Sequence, residues 1–92
     1  MQKFYFTYGT DPAYPFQGGW TEVEAPSLST ALELYNYFHP MQRYGFNCEK
    51  VLDESKFLAT DMLLNGNFGA WCQEEITVSR NLIAEEGAKR ED

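Results

Sequence analysis

Few residues in this chain have side chains suited to covalent chemistry, and their spacing assembles none of the familiar reactive sets. His39 is the only histidine and sits immediately before Pro40. One imidazole excludes a histidine-pair metal site, so His39 reads as a helix-end residue favoured by the helix dipole. Cys48 and Cys72 lack a C-x-x-C spacing and a neighbouring histidine. They read as buried free thiols of a reducing compartment, with a disulfide as the alternative. No serine stands in a G-x-S-x-G elbow, and neither Gln17-Gly18-Gly19 nor Gly66-Asn67-Phe68-Gly69 has the lysine and following helix of a phosphate loop. Carboxylates remain. Glu22 and Glu24 project from one face of a strand about 7 Å apart, whereas Glu74 and Glu75 point to opposite faces of another. Such pairs can serve as acid and base or hold a divalent cation, but alternating glutamates on a solvated sheet face are commoner. No catalytic residue, metal or cofactor is therefore expected, and surfaces carry more weight than chemistry.

What positions these residues is a small fold. The 92 residues suit one domain with a modest core, and 16% aromatic content separates the chain from disordered sequences. Lys3 to Tyr8 is aromatic and β-rich, ending at Gly9-Thr10-Asp11-Pro12. Residues 11–19, with two prolines and two glycines, read as a loop. Trp20 to Ala25 alternates, with Glu22 and Glu24 on one face and Thr21, Val23 and Ala25 on the other. Ser27 is an N-cap for a helix running to His39, with Leu28, Ala31, Leu32, Tyr35 and Phe38 as its apolar face and Leu32 at the middle. Pro40 ends it. A third strand over Phe46–Leu52, a short helical turn capped by Asp53, a brief turn over Thr60–Leu64 and a fourth strand over Trp71–Val78 follow. The expectation is an α+β domain over residues 1–78, of order β-β-α-β-β, with one main helix across a four-stranded, mainly antiparallel sheet. Residues 79–92 read as a charged tail or short helix. Two glycine clusters, before Trp20 and before Trp71, supply turns of positive φ leading into strands.

Charge narrows the partners. Fourteen acidic against seven basic side chains give a formal net charge of −7, which opposes direct binding to nucleic-acid phosphates and anionic membranes and favours neutral or basic protein surfaces. No apolar run approaches the roughly 20 residues of a membrane span, and the first residues are too short an apolar stretch for a signal peptide, so a cytoplasmic protein is expected. Tyr14, Phe16, Tyr37 and Tyr44 fall in loops or off the helix's apolar face. Either such rings simply cover the small core, or, with acidic neighbours, they suit anchoring in a basic protein groove rather than stacking on bases. Tyr14, Phe16, Glu22 and Glu24 are the candidate partner-binding residues.

Phe4-Tyr-Phe-Thr-Tyr-Gly9, Phe16-Gln-Gly-Gly-Trp-Thr-Glu-Val-Glu-Ala25, the helix ending His39-Pro40, Phe46-Asn-Cys48 and Asn65-Gly-Asn-Phe-Gly-Ala70 before Cys72 together resemble a group of short, uncharacterised proteins encoded by phages and mobile elements of gut-type bacteria. The resemblance covers residues 3–78 and carries no catalytic or cofactor residue. It implies a small acidic inhibitor of host defence or replication machinery, such as a CRISPR nuclease, acting on a host protein with a basic surface. The alternative is a structural or regulatory phage protein working as a homodimer.

Overall fold

The computed structural model of the chain describes residues 1–40 and 46–77. The expected tail at 79–92, Val78 of the fourth strand, and Tyr44 lie outside the described residues. Strands β1 (Gln2–Thr7) and β2 (Trp20–Ala25) form where aromatic and β-branched residues alternate with polar ones, and they pair antiparallel with Phe4 opposite Val23 and Tyr5 opposite Glu22. Helix α1 (Leu28–Phe38) starts at Ser27, whose Oγ accepts from the Thr30 N–H at 3.3 Å, and ends at His39, whose N–H donates to the Tyr35 carbonyl at 2.8 Å. Strand β3 (Lys50–Asp53) pairs antiparallel with β1. Two short helices follow, α2 (Glu54–Leu58), capped by Asp53, and α3 (Met62–Asn65), before β4 (Cys72–Thr77).

The sheet order is β3-β1-β2-β4, and β4 runs parallel to β2. Among the described residues the domain is thus α+β with a four-stranded mixed sheet, two antiparallel pairings and one parallel, and three helices. The expected β-β-α-β-β order with one main helix and a mainly antiparallel sheet is met only in part: two short helices stand between β3 and β4, and β4 pairs parallel to β2. The third strand is also shorter than expected. Residues 47–49 bend, and the Asn47 carbonyl is taken by the Tyr35 hydroxyl at 2.7 Å, so regular pairing begins at Lys50.

The two sheet faces are covered unequally. On one, α1 buries Phe4, Phe6, Tyr8, Val23, Ala25 and Ile76, with Phe6 stacked on Tyr35 at a centroid distance of 4.1 Å. The helix does so through Ala31, Leu34 and Tyr35. Leu32 is half-buried while Leu28 and Phe38 are exposed, so the buried stripe is rotated from the expected one and centres on Leu34. On the opposite face, α2 and α3 cover one end only: Phe57 stacks on Tyr5 at 3.9 Å and meets the Trp20 edge at 4.9 Å, with Leu52 and Met62 beside them. Among the described residues no helix is long and apolar enough to cross a membrane.

Candidate interaction surface

A chain of hydroxyls lies under α1. Tyr35 donates to the Asn47 carbonyl, Thr21 Oγ1 donates to Glu74 Oε1 at 3.2 Å, and the Tyr8 hydroxyl lies between them, 2.6 Å from Thr21 Oγ1 and 2.9 Å from Tyr35 Oη. Glu74 Oε1 is also 2.6 Å from His39 Nε2, which ties the end of α1 to β4. Three hydroxyl protons serve four short contacts, so ionising any member leaves the chain still poorer in donors. Burial pushes Tyr8 up to about 12, against the lowering effect of its hydrogen bonds with Thr21 and Tyr35, and burial together with the Tyr8 contact pushes Tyr35 further. The network holds neutral phenols in place under α1. The His39–Glu74 contact joins residues 35 apart and left no trace in local pattern.

The thiols are held toward their protonated form. Both are free; burial pushes Cys48 up to about 12 and raises Cys72 as well. Cys72 is exposed, not buried as its sequence context suggested, because it opens an edge strand beyond the cover of α3. An apolar cleft of about 410 Å³ lies between the start of α1 and β3, floored by Phe4, Leu32, Phe46 and Val51. Only Gln2, Asp53 and Lys56 bring polar groups to its walls, and none forms an acid–base or nucleophile–base pair.

Tyr14, Phe16, Glu22 and Glu24 do not form one site. Tyr14 and Phe16 are half-buried against the α1-side core. The loop that carries them folds back, with the Gly18 N–H on the Gly9 carbonyl at 2.8 Å and Gln17 Nε2 on the Thr10 carbonyl at 2.8 Å. Phe16 meets Tyr8 edge-on at 5.6 Å and His39 at 6.0 Å. Both rings therefore extend the core and are not free anchors. Glu22 and Glu24 stand on the opposite face, as alternation indicated, but both are half-buried. Glu22 takes a hydrogen bond from Tyr5, its cross-strand neighbour, while Lys3 sits opposite Glu24.

The sheet adds a third carboxylate that local pattern did not reveal. Parallel pairing places Glu75 beside Glu22 and Thr77 beside Glu24, so Glu22, Glu24 and Glu75 share the strip left bare by α2 and α3. Of the rings expected at the surface, Tyr37 is exposed, at 57%. Among the described residues nine large hydrophobics are exposed, and five of them fall between Leu58 and Trp71, including Leu64 at 81% and Phe68 at 69% exposure. Trp71 meets Trp20 edge-on at 6.4 Å, and Cys72, next in sequence, lies in the field of Glu22 and Glu75. The apolar patch and the acidic strip therefore adjoin. No protein-family model matches this chain, and neither the curated proteins nor the solved structures contain a match to it.

Proposed function

We propose that this protein is a non-enzymatic binding module whose acidic strip engages a basic groove on another protein. The observation that carries this reading is the alignment of Glu22, Glu24 and Glu75 on the bare part of one sheet face, in a chain of formal net charge −7. Lysines and arginines that line a nucleic-acid-binding groove present the complementary field. The resemblance to phage and mobile-element proteins makes the specific form an inhibitor that occupies such a groove on a host nuclease.

The test is a double charge reversal. Glu24→Lys with Glu75→Lys spares the Tyr5–Glu22 hydrogen bond and moves the net charge by four, from −7 to about −3. Association with a CRISPR nuclease, followed at 50 and 300 mM salt, should slow in the variant, most clearly at low salt where the Debye length is longest. A wild-type association rate indifferent to salt, or a variant that associates as fast, overturns the reading. Sedimentation separates it from the homodimer alternative: charge-driven binding to a basic partner needs no second copy.

A further inference from the structure

Phe68 occupies a position that the fold alone does not recommend. The segment Asn67-Phe68-Gly69-Ala70 closes a two-residue hairpin turn, with the Asn67 N–H on the Ala70 carbonyl at 2.8 Å and the Ala70 N–H on the Asn67 carbonyl at 3.0 Å. Phe68 has φ +51° and Gly69 φ +78°, the pair of positive values that characterises a type I′ turn and that Asn-Gly fills at least cost. Among the described residues Phe68 is the only non-glycine in the left-handed region. An L side chain there is disfavoured by roughly 1–2 kcal/mol, and a ring left mostly in water recovers little of that through burial.

The turn that carries this ring is held firmly. Asn67 Nδ2 donates to the Tyr8 carbonyl at 2.9 Å and to the Gly19 carbonyl at 3.0 Å, in a buried position. The Gly19 N–H returns a bond to the Asn67 carbonyl at 3.1 Å. Gly18 lets the turn lie close: a Cβ there would meet the Asn67 carbonyl oxygen at 3.0 Å and the Ala70 Cβ at 3.3 Å. A strained, outward-facing aromatic on a rigid mount is the arrangement of a preorganised binding anchor, because its ordering cost is met before the partner arrives.

We propose that Phe68, with the exposed Trp71 three residues on, is the anchoring knob of the acidic surface and inserts into an apolar pocket rimmed by lysine or arginine on a cationic partner protein. This deepens the binding-module reading and rests on it. The occupant follows from charge: the segment that carries the knob runs on through Trp71 to Cys72, which lies in the field of Glu22 and Glu75, a strip that repels anionic lipid and would face its own like in a symmetric pair of copies.

The probes are two labelled peptides of equal charge, one an amphipathic Leu/Lys helix and the other Lys with Ser. They are titrated into the full chain, into Phe68→Asn, and into the Glu24→Lys/Glu75→Lys double variant. The Leu/Lys peptide should bind the full chain at least tenfold more tightly than the Lys/Ser peptide. Phe68→Asn should remove that preference by hastening dissociation, with an equal or higher melting temperature, because Asn tolerates the left-handed region better than Phe. The charge variant should instead slow association of both peptides. Equal binding of the Leu/Lys peptide by wild type and Phe68→Asn overturns the knob while leaving the acidic-strip reading intact. A silent charge variant with a sensitive Phe68→Asn overturns the acidic-strip reading instead. No binding of the Leu/Lys peptide at 100 µM overturns the proposal. So does a dimer in sedimentation, or adsorption to phosphatidylcholine vesicles, that Phe68→Asn abolishes, since either names a different occupant.

Discussion

The two faces of the sheet solve different problems with the same residue types. Under α1, rings and hydroxyls are enclosed: Phe6 stacks on Tyr35, Tyr8 touches Thr21 and Tyr35, and Glu74 lies against His39. On the other face a five-residue and a four-residue helix shield only Tyr5, Trp20 and Leu52, and leave Phe68, Trp71 and Glu75 exposed and Glu22 and Glu24 half-buried. Helices this short add little stability of their own and bury little area. The contrast teaches that stability in this domain is drawn chiefly from one face, which frees the other to carry strain and surface charge.

The comparison breaks most visibly at Leu34, which is 2% exposed at the centre of the buried stripe of α1. Leu34→Ala should cost about 2–5 kcal/mol, a large share of the 5–15 kcal/mol that such domains possess. Leu64→Ala, on the thin side, should change stability by no more than about 0.5 kcal/mol. Leu32→Ala should fall between them. Urea midpoints for the three variants check the order, and equal losses at Leu34 and Leu64 would erase the distinction between the faces.

Alkaline titration sharpens it next. Burial lifts Cys48 from its ordinary 9.0 and Tyr8 from 10.0, each to about 12, and raises Tyr35 and Tyr5 further. The folded pKa values exceed the unfolded ones, so the stabilisation is fully present below the unfolded values and is lost as pH climbs through the folded ones. Stability should hold to about pH 9, then fall by about 1.4 kcal/mol per pH unit for each group still protonated only in the folded state. Three of the four groups lie under α1 or against its core. Tyr8→Phe should therefore flatten the decline between pH 10 and 12, and an unchanged slope would mean that Tyr8 ionises as readily folded as unfolded.

Legibility divides along the same line. Strands β1 and β2 and the caps at Ser27 and Asp53 were readable because each is written in adjacent residues: aromatic, β-rich composition for β1, alternation for β2, an oxygen three residues before an N–H for the caps. The bare face of Glu22 and Glu24 follows from the period of two. What sequence could not show depends on distant pairing. The parallel direction of β4 adds Glu75 to the strip, and no periodicity encodes direction. Tyr14 and Phe16 resembled exposed loop rings, yet bonds from Gly18 to Gly9 and from Gln17 to Thr10 fold them onto the core. Phe68 looked like one more ring in a glycine cluster, although a phenylalanine in the slot where Asn precedes Gly in a hairpin turn was a signal already present in the sequence.

The glycine clusters give the smallest and most local contrast, since Gly19 belongs to the packed seam and Gly69 to the exposed tip of the same hairpin contact. Both have positive φ, +70° and +78°, so an alanine at either pays the left-handed penalty of roughly 1–2 kcal/mol. Their surroundings differ. A Cβ on Gly19 would land on the Trp71 carbonyl oxygen, which already accepts the Trp20 N–H at 3.4 Å and Gln73 Nε2 at 2.9 Å. That oxygen is backbone at the entry to β4 and cannot swing aside without disturbing the pairing of β2 and β4. A further 1–3 kcal/mol of overpacking is therefore expected. A Cβ on Gly69 meets nothing within 4 Å. Gly19→Ala should accordingly lower the urea midpoint about twice as far as Gly69→Ala. Equal effects would show that backbone conformation alone sets the cost at both sites, and that the hairpin does not press on the sheet as closely as the Trp71 carbonyl requires.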